Sequence, residues 1–455
     1  MKNAIKVFSR LWLTLCSLFF IASCTKSWED YIRKPDKSHG YLNQTKAYSS
    51  DVLSDWIKLD LQLLRTNAAK LNNFVMMQHW AYSSIALYEA VVPGMPAYRT
   101  LAGQLQEMPA MPKVQPGRTY HWPTCANTVL AAMTRNFYLD SITQGGKDSI
   151  KLLEEVFNSR YQNTVDAATF ERSKSFGKEV ADRVFKWSQT DGSLTRHPAY
   201  VLPVGPGQWE RTPPDLLAPQ RPYWSTNRPL MAGSVEASAL PAPPAFSTNP
   251  SSEFYSMAKE VYDLSGTLTS DQREQAIFWR DVPGGGHAHW LSIFLKVLYM
   301  EGNNALLDKA AMVYAKMGIS QSDARLSCWK WKYAYNQLRP ITYINAIIDK
   351  EKDWRPVINT PNHPEYPAAH SSFSAPGAAV LTMEFGDNYA FTDNTYDFIS
   401  LPARNFRSFN HAASEAGESR IFGGIHYRPS VAAGQTLGNK IAKYMYDHIK
   451  FKKGK

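Results

Sequence analysis

From Asp51 onward the apolar residues of this chain recur at steps of three and four, with hardly any of the alternation a strand requires. Between Asp51 and Val92 the period is carried by Trp56, Leu59, Leu63 and Leu64, which share one face of a helix at 3.6 residues per turn. Pro93-Gly94 stops that stretch. The same period predicts helices over about 123–140, 146–160, 166–188, 253–264, 270–280, 287–301, 304–317, 321–337, 367–385 and 411–448, the last broken near Gly423-Gly424. Thr269-Ser270-Asp271-Gln272 reads as a capping box. There is no internal repeat and no sustained heptad. The fold class is all-α, a large helical bundle.

Residues 196–250 break the pattern: they are rich in proline and carry Trp209, Tyr223 and Trp224. Connections of this length are usually lids, binding segments or linkers. The aromatic side chains predict an ordered segment wrapped on the body, a hinge between two domains being the competing view. It separates an N-terminal helical part, 49–195, from a C-terminal one, 251–455. At the start of the chain, Lys2, Lys6 and Arg10 precede the apolar run Leu11 to Ala22, and Cys24 follows small residues. Residues 1–23 therefore read as a signal peptide, too short for a comfortable membrane span. A cysteine in that position resembles the bacterial lipoprotein signal. On that reading Cys24 is lipidated, 24–48 is a tether, and the protein is exported and anchored at the bacterial outer membrane. An ordinary signal peptide with an incidental Cys24 is the alternative.

The formal net charge of +10 raises the question of a nucleic-acid partner. The positive residues are scattered, apart from the short tail Lys450, Lys452, Lys453 and Lys455, so no nucleic-acid partner is expected. Beyond Cys16 and Cys24 only Cys125 and Cys328 remain. Two cysteines make neither a disulfide framework nor a Cys-rich zinc site, and could pair or sit buried apart.

Three C-terminal segments carry chemistry. In Trp329-Lys330-Trp331-Lys332-Tyr333-Ala334-Tyr335-Asn336-Gln337-Leu338-Arg339-Pro340, Lys332 and Arg339 are seven apart, two turns on nearly one helical face, with Arg339 expected at the helix end before Pro340. In His363-Pro364-Glu365-Tyr366-Pro367-Ala368-Ala369-His370, proline and small residues open a helix. The first-turn N–H groups of that helix favour an anion, with His370 at the lip. In Ser419-Arg420-Ile421-Phe422-Gly423-Gly424-Ile425-His426, six residues separate Arg420 from His426, and the glycines loosen the geometry. Three permanent cations, two histidines and a helix N-terminus suit an oxyanion. Guanidinium forks and an ammonium hold its oxygens, one histidine attacks or ligates the central atom, and the other handles protons. Any one of these residues alone is more simply a solvated or core residue.

The order Lys-x6-Arg-Pro, Pro-x-x-His, Ser-Arg-x5-His resembles the signature of the vanadium-dependent haloperoxidase and type 2 phosphatidic acid phosphatase superfamily, and the helix-rich body resembles its haloperoxidase-like branch. The motifs span about a fifth of the chain, 332–427. The resemblance implies the helical fold of that family. It implies that Lys332, Arg339, Arg420 and the backbone N–H of Ala369 hold the oxygens of vanadate or phosphate. It makes His426 the vanadium ligand or the phosphorylated nucleophile, and His370 the acid–base residue. Trp329 matches a tryptophan that often precedes the lysine; Trp329, Tyr366 and His287 are candidates for the substrate pocket, as is Glu365 because, like Tyr366, it adjoins His370. Two departures stand out. Ala368 replaces a serine that would donate to the oxyanion. Ser430 replaces an aspartate that would orient His426, leaving Ser430 or a nearby carboxylate such as Glu415 or Glu418 to do so.

His287 and His289 lie in a Gly-rich turn without a sequence-local carboxylate, which argues against a metal site there and leaves substrate contact as the functional reading. The leading function is a vanadate-dependent haloperoxidase using hydrogen peroxide, a halide and a small-molecule substrate. An acid phosphatase acting through a phosphohistidine, with a phosphate ester as substrate and no cofactor, is the alternative. A non-catalytic ligand-binding lipoprotein is a third reading, and predicts that the five residues Lys332, Arg339, His370, Arg420 and His426 do not converge.

Overall fold

The computed structural model describes residues 44–454 except 72, 281–287 and 350–352. The signal peptide, Cys24, most of the expected tether and His287 lie outside the described residues. Twelve α-helices of nine or more residues run through them. They are α1 (Asp51–Thr66), α2 (Asn73–Val91), α3 (Trp122–Tyr138), α4 (Gln144–Tyr161), α5 (Ala167–Ser188), α6 (Glu253–Thr267), α7 (Ser270–Phe278), α8 (His289–Glu301), α9 (Leu307–Tyr335), α10 (Ala369–Phe385), α11 (Phe409–Phe422) and α12 (Arg428–His448). One two-stranded antiparallel ribbon, β1 (Phe391–Asp393) with β2 (Arg404–Phe406), accompanies them. The all-α reading holds. The packed body begins before residue 49: buried Thr45 donates through Oγ1 to the Val91 carbonyl at 2.8 Å.

Two helix boundaries differ from the sequence expectation, each for a local reason. The stretch 51–92 divides because Asn67 caps α1. Its Nδ2 donates to the Leu63 carbonyl at 2.9 Å and its Oδ1 accepts from the Thr143 N–H at 2.8 Å. The pair 304–317 and 321–337 is instead one helix of 29 residues, α9. Gly318 reads as a break but serves close packing, since a Cβ there would lie 2.2 Å from Ser84 Oγ on α2. α9 is the central rod, packed on α2, α10 and α12 and buried on most of its circumference.

The Pro-rich segment is ordered against this rod. Asp323 on α9 accepts from the N–H groups of Leu230 and Met231 at 2.8 and 2.9 Å and from Ser234 Oγ at 2.7 Å. The Trp209 N–H donates to the Asn336 carbonyl at 2.7 Å, and Leu338 returns a bond to Gly207 at 2.9 Å. Trp209, Leu230 and Met231 are buried. Cys125 and Cys328 are both buried and free.

Between α1, α2 and α3 lies a buried polar cluster in which Thr134 Oγ1 contacts His79 Nε2 at 3.3 Å and Asp60 Oδ1 at 3.4 Å. Burial pushes the His79 imidazole down to about 3. A depressed histidine stabilises the fold above its unfolded value near 6.5 and loses that contribution as pH falls towards 3. In urea unfolding across this window, the advantage of the wild type over His79→Gln is expected to shrink by roughly 3–5 kcal/mol. A pH-independent difference would show that His79 is not held neutral.

Candidate active site

The last turn of α9 carries Lys332, and Asn336 ends the helix in the left-handed conformation (φ 47°). Arg339 then lies in extended backbone before the short turn Pro340–Tyr343. Lys332 and Arg339 are therefore not two turns apart on one helical face, contrary to the spacing argument. They converge through the loop that follows. Lys332 Nζ donates to the carbonyls of Pro364, Glu365 and Pro367 at 3.0, 2.9 and 2.6 Å. Arg339 donates through Nε to the His363 carbonyl (3.0 Å), through Nη2 to His363 Nδ1 (3.0 Å), and through Nη1 to the Ile425 carbonyl (2.7 Å). Both side chains are fully buried.

That loop delivers the start of α10, where Ala369 is the first helical residue and His370, half-buried, the second. The N-cap Ala368 gives no side-chain bond to the first turn, so no capping side chain at that position competes for its N–H groups. α12 presses close beneath: a Cβ on Gly434 would lie 2.4 Å from the Ala368 carbonyl. Arg420 stands in the last turn of α11, its Nη1 donating to the Trp279 carbonyl at 2.7 Å. Gly424, at φ 76°, turns the chain so that His426 comes back towards Arg339 and Arg420.

The tautomer of His426 follows from its partners. Arg339 Nη1 lies 3.1 Å from Nε2, and a guanidinium can only donate, so Nε2 carries the lone pair. Nδ1 therefore bears the proton and donates to Glu365 Oε1 at 2.7 Å. The same oxygen accepts from the Tyr427 N–H at 2.9 Å. Glu365, and not Glu415 or Glu418, is thus the carboxylate that orients His426. Glu415 is bound to Arg404 (2.6 Å) and to Trp279 Nε1 (3.0 Å), and Glu418 faces Arg428. Ser430 Oγ is 3.4 Å from Nδ1, a distant second.

Burial dominates the electrostatics. It pushes Lys332 down to about 7 and Arg339 down to about 10, and raises Glu365 to about 7 against the pull of Arg339. Burial, followed by the charges of Arg339, Lys332 and Arg420, drives the His426 imidazole well below its ordinary value and keeps it neutral. Among the described residues, Glu365 is the buried carboxyl group set against Lys332 and Arg339, and an added anion would find two buried basic side chains beside it.

A cavity of about 270 Å³ opens onto this cluster. Ala369, His370, Arg420, His426 and His363 line it, joined by 212–215, Leu217 and Gln220 of the Pro-rich segment and by 359–362. Lys332 and Arg339 are not among the lining residues. With its N–H groups committed to three carbonyls, Lys332 acts on the cavity through its charge. Trp329 and Tyr366 do not line it either. Trp329 donates through Nε1 to the Gln220 carbonyl (3.1 Å) and packs 5.1 Å from the His363 ring, while Tyr366 Oη donates to the Pro241 carbonyl (2.8 Å). Trp329 thus braces the wall through Gln220, while Tyr366 is tied to Pro241, outside the cavity's lining.

The comparisons with known proteins agree with this geometry. Residues 312–453 match the family model of the VCPO second helical-bundle domain. The crystal structure of the first bacterial vanadium-dependent iodoperoxidase superposes with a TM-score of 0.79 at 30% identity, covering 90% of this chain and 98% of that one. The chain belongs to the vanadium haloperoxidase superfamily. Apo and holo structures of a bacterial vanadium-dependent chloroperoxidase share the superfamily fold, each at a TM-score of 0.61, with 13% and 14% identity. They cover 83% and 86% of this chain, and it covers 94% of each. A search of curated proteins finds no match. In this superfamily member the two half-sites, α9 with its loop and α11 with its Gly turn, both lie inside or border the matched second bundle, whereas part of the cavity wall comes from the Pro-rich segment before it.

Proposed function

We propose that this protein binds vanadate and uses hydrogen peroxide to oxidise a halide, with iodide the first to test. The observation that carries the proposal is the fixed tautomer of His426, whose Nε2 lone pair belongs to a buried, neutral ring oriented by Glu365. A metal oxyanion would take that atom as its ligand in place of the Arg339 Nη1 contact and needs cations for its oxygens, so the residues present fit the group. Arg420 and the first-turn N–H groups at Ala369 would hold oxygens, with Arg339 and Lys332 supplying charge from behind. Bound vanadate supplies a Lewis-acidic centre that makes peroxide a two-electron oxidant. The balanced reaction turns halide, hydrogen peroxide and one proton into hypohalous acid and water. His370, on the same cavity, is the residue that holds and delivers that proton. The choice of iodide rests on the near-complete coverage of the bacterial iodoperoxidase at 30% identity.

The same lone pair on His426 would serve as a nucleophile towards a phosphate ester, so a paired assay is the test. Purified protein loaded with vanadate is expected to oxidise iodide with peroxide, to lose that activity on vanadate removal, and to hydrolyse an aryl phosphate at most feebly. Vigorous phosphatase activity inhibited by vanadate, with no halide oxidation, would establish the phosphohistidine reading instead.

A further inference from the structure

His370 borders two spaces. Besides the main cavity it lines a small chamber of about 20 Å³, shared with Gln321, His289, Ser374, Trp279 and Trp290. That volume is enough for one water molecule. Its wall is largely aromatic, from Trp279, Trp290 and Phe373, and its polar atoms come from a few side chains. Gln321, 1% exposed on α9, lines it with a side-chain Nε2 that has no hydrogen-bond partner among the described residues. An unpaired buried amide is costly, and ordered water is the usual remedy. Gly377 on α10 keeps room for that amide, since a Cβ there would lie 2.8 Å from Gln321 Nε2 and 2.8 Å from Trp290. Ser374 Oγ accepts from Trp290 Nε1 at 2.8 Å, which turns its own hydrogen elsewhere.

The far side of the chamber is formed by a fixed imidazole. His289 Nε2 meets Asp393 Oδ2 at 2.5 Å, and its ring stacks on Trp279 at 4.1 Å. Asp393 Oδ1 in turn accepts from the Thr395 N–H and hydroxyl at 2.9 and 2.7 Å. The His289 charge and these hydrogen bonds hold the Asp393 carboxyl below its ordinary value despite its burial. An ionised Asp393 makes Nε2 the donor of that bond and fixes the orientation of the His289 ring.

We propose that one ordered water in this chamber, held by Gln321 Nε2 and Ser374, joins His370 to the His289–Asp393 pair and positions the catalytic histidine from behind. The proposal rests on the role given to His370 above, because each turnover consumes a proton that His370 must regain. Gln321, His289 and Asp393 are positioning residues in this scheme. Among the described residues, Arg420, His426, His363 and Asp215 are charged or titratable groups that line the main cavity with His370, and Arg325 lies over the ring of Phe373, which lines the small chamber. His289 also meets the edge of Tyr396, and Glu415 reaches the stacked Trp279.

The test uses the full chain in three forms: wild type, Gln321→Leu and Asp393→Asn. A crystal structure at water-resolving resolution is expected to show one peak within hydrogen-bond distance of Gln321 Nε2 and His370, absent in Gln321→Leu. Imidazole NMR titration is expected to move the His370 midpoint down by about half a pH unit or more in both variants, because Gln321→Leu removes the water that accepts from the His370 cation and Asp393→Asn removes a nearby negative charge. Neither readout requires halide oxidation, so failure of the haloperoxidase reading would leave them interpretable. A wild-type chamber without density, or a His370 midpoint unchanged in both variants while both remain folded, would overturn the proposal.

Discussion

Replacement of His426 by alanine is expected to abolish vanadate binding and, with it, peroxide-dependent iodide oxidation. The loss should exceed the roughly 100-fold drop in affinity that follows removal of a merely supporting partner, because the alanine variant has no atom to bond the metal. Structure should survive. Glu365 Oε1 keeps the Tyr427 N–H and Arg339 Nη1 keeps the Ile425 carbonyl, so neither buried group is orphaned by the truncation. Equilibrium dialysis with vanadate, paired with a thermal unfolding curve, separates loss of the ligand from loss of the fold. Tight vanadate binding by the variant would mean that the cations alone hold the anion and that His426 is not its ligand.

The second large effect concerns Glu365, and its direction depends on the anion. In Glu365→Gln the partner of His426 Nδ1 becomes neutral, which makes Nε2 a poorer ligand. A cost of about 10–100-fold in vanadate affinity is expected. The same change removes a buried carboxylate beside Lys332 and Arg339, which by itself strengthens attraction for any anion. Phosphate, held by charge and hydrogen bonds without a bond to His426, should therefore bind equally well or better. The ratio of vanadate to phosphate affinity, measured by competition dialysis, isolates the ligand from the charge. Parallel weakening of both anions would indicate a collapsed site, and parallel strengthening would indicate that Glu365 acts only through its charge.

Most of the helical architecture was legible because helical period survives in a single sequence. The cations and histidines were legible because their spacing within each segment is short. What could not be read was how the segments meet. Asn336 in a left-handed conformation terminates α9 and sends Arg339 off the shared face, an effect of one residue that the spacing of two cations does not reveal. The orienting carboxylate, Glu365, belongs to a different segment from His426, 61 residues earlier. Searching near His426 therefore led to Ser430, Glu415 and Glu418, two of which are engaged with arginines at the surface or edge of the site. The available signal was the unexplained acid five residues before His370, in a loop whose prolines cannot donate. Trp329 and Tyr366 misled for the opposite reason. Their proximity in sequence to Lys332 and His370 is real, but each spends its polar tip on the Pro-rich segment, and that segment supplies part of the cavity wall.

The central claim is that His426 Nε2, oriented by Glu365, is the atom on which vanadate is held. An anomalous difference map at the vanadium edge, from crystals of the chain grown with vanadate, tests it most directly. One strong peak bonded to His426 Nε2, beside Arg420 and the first turn of α10, is the expected result. A peak elsewhere, or an oxyanion lying among the cations with no bond to His426, would contradict it.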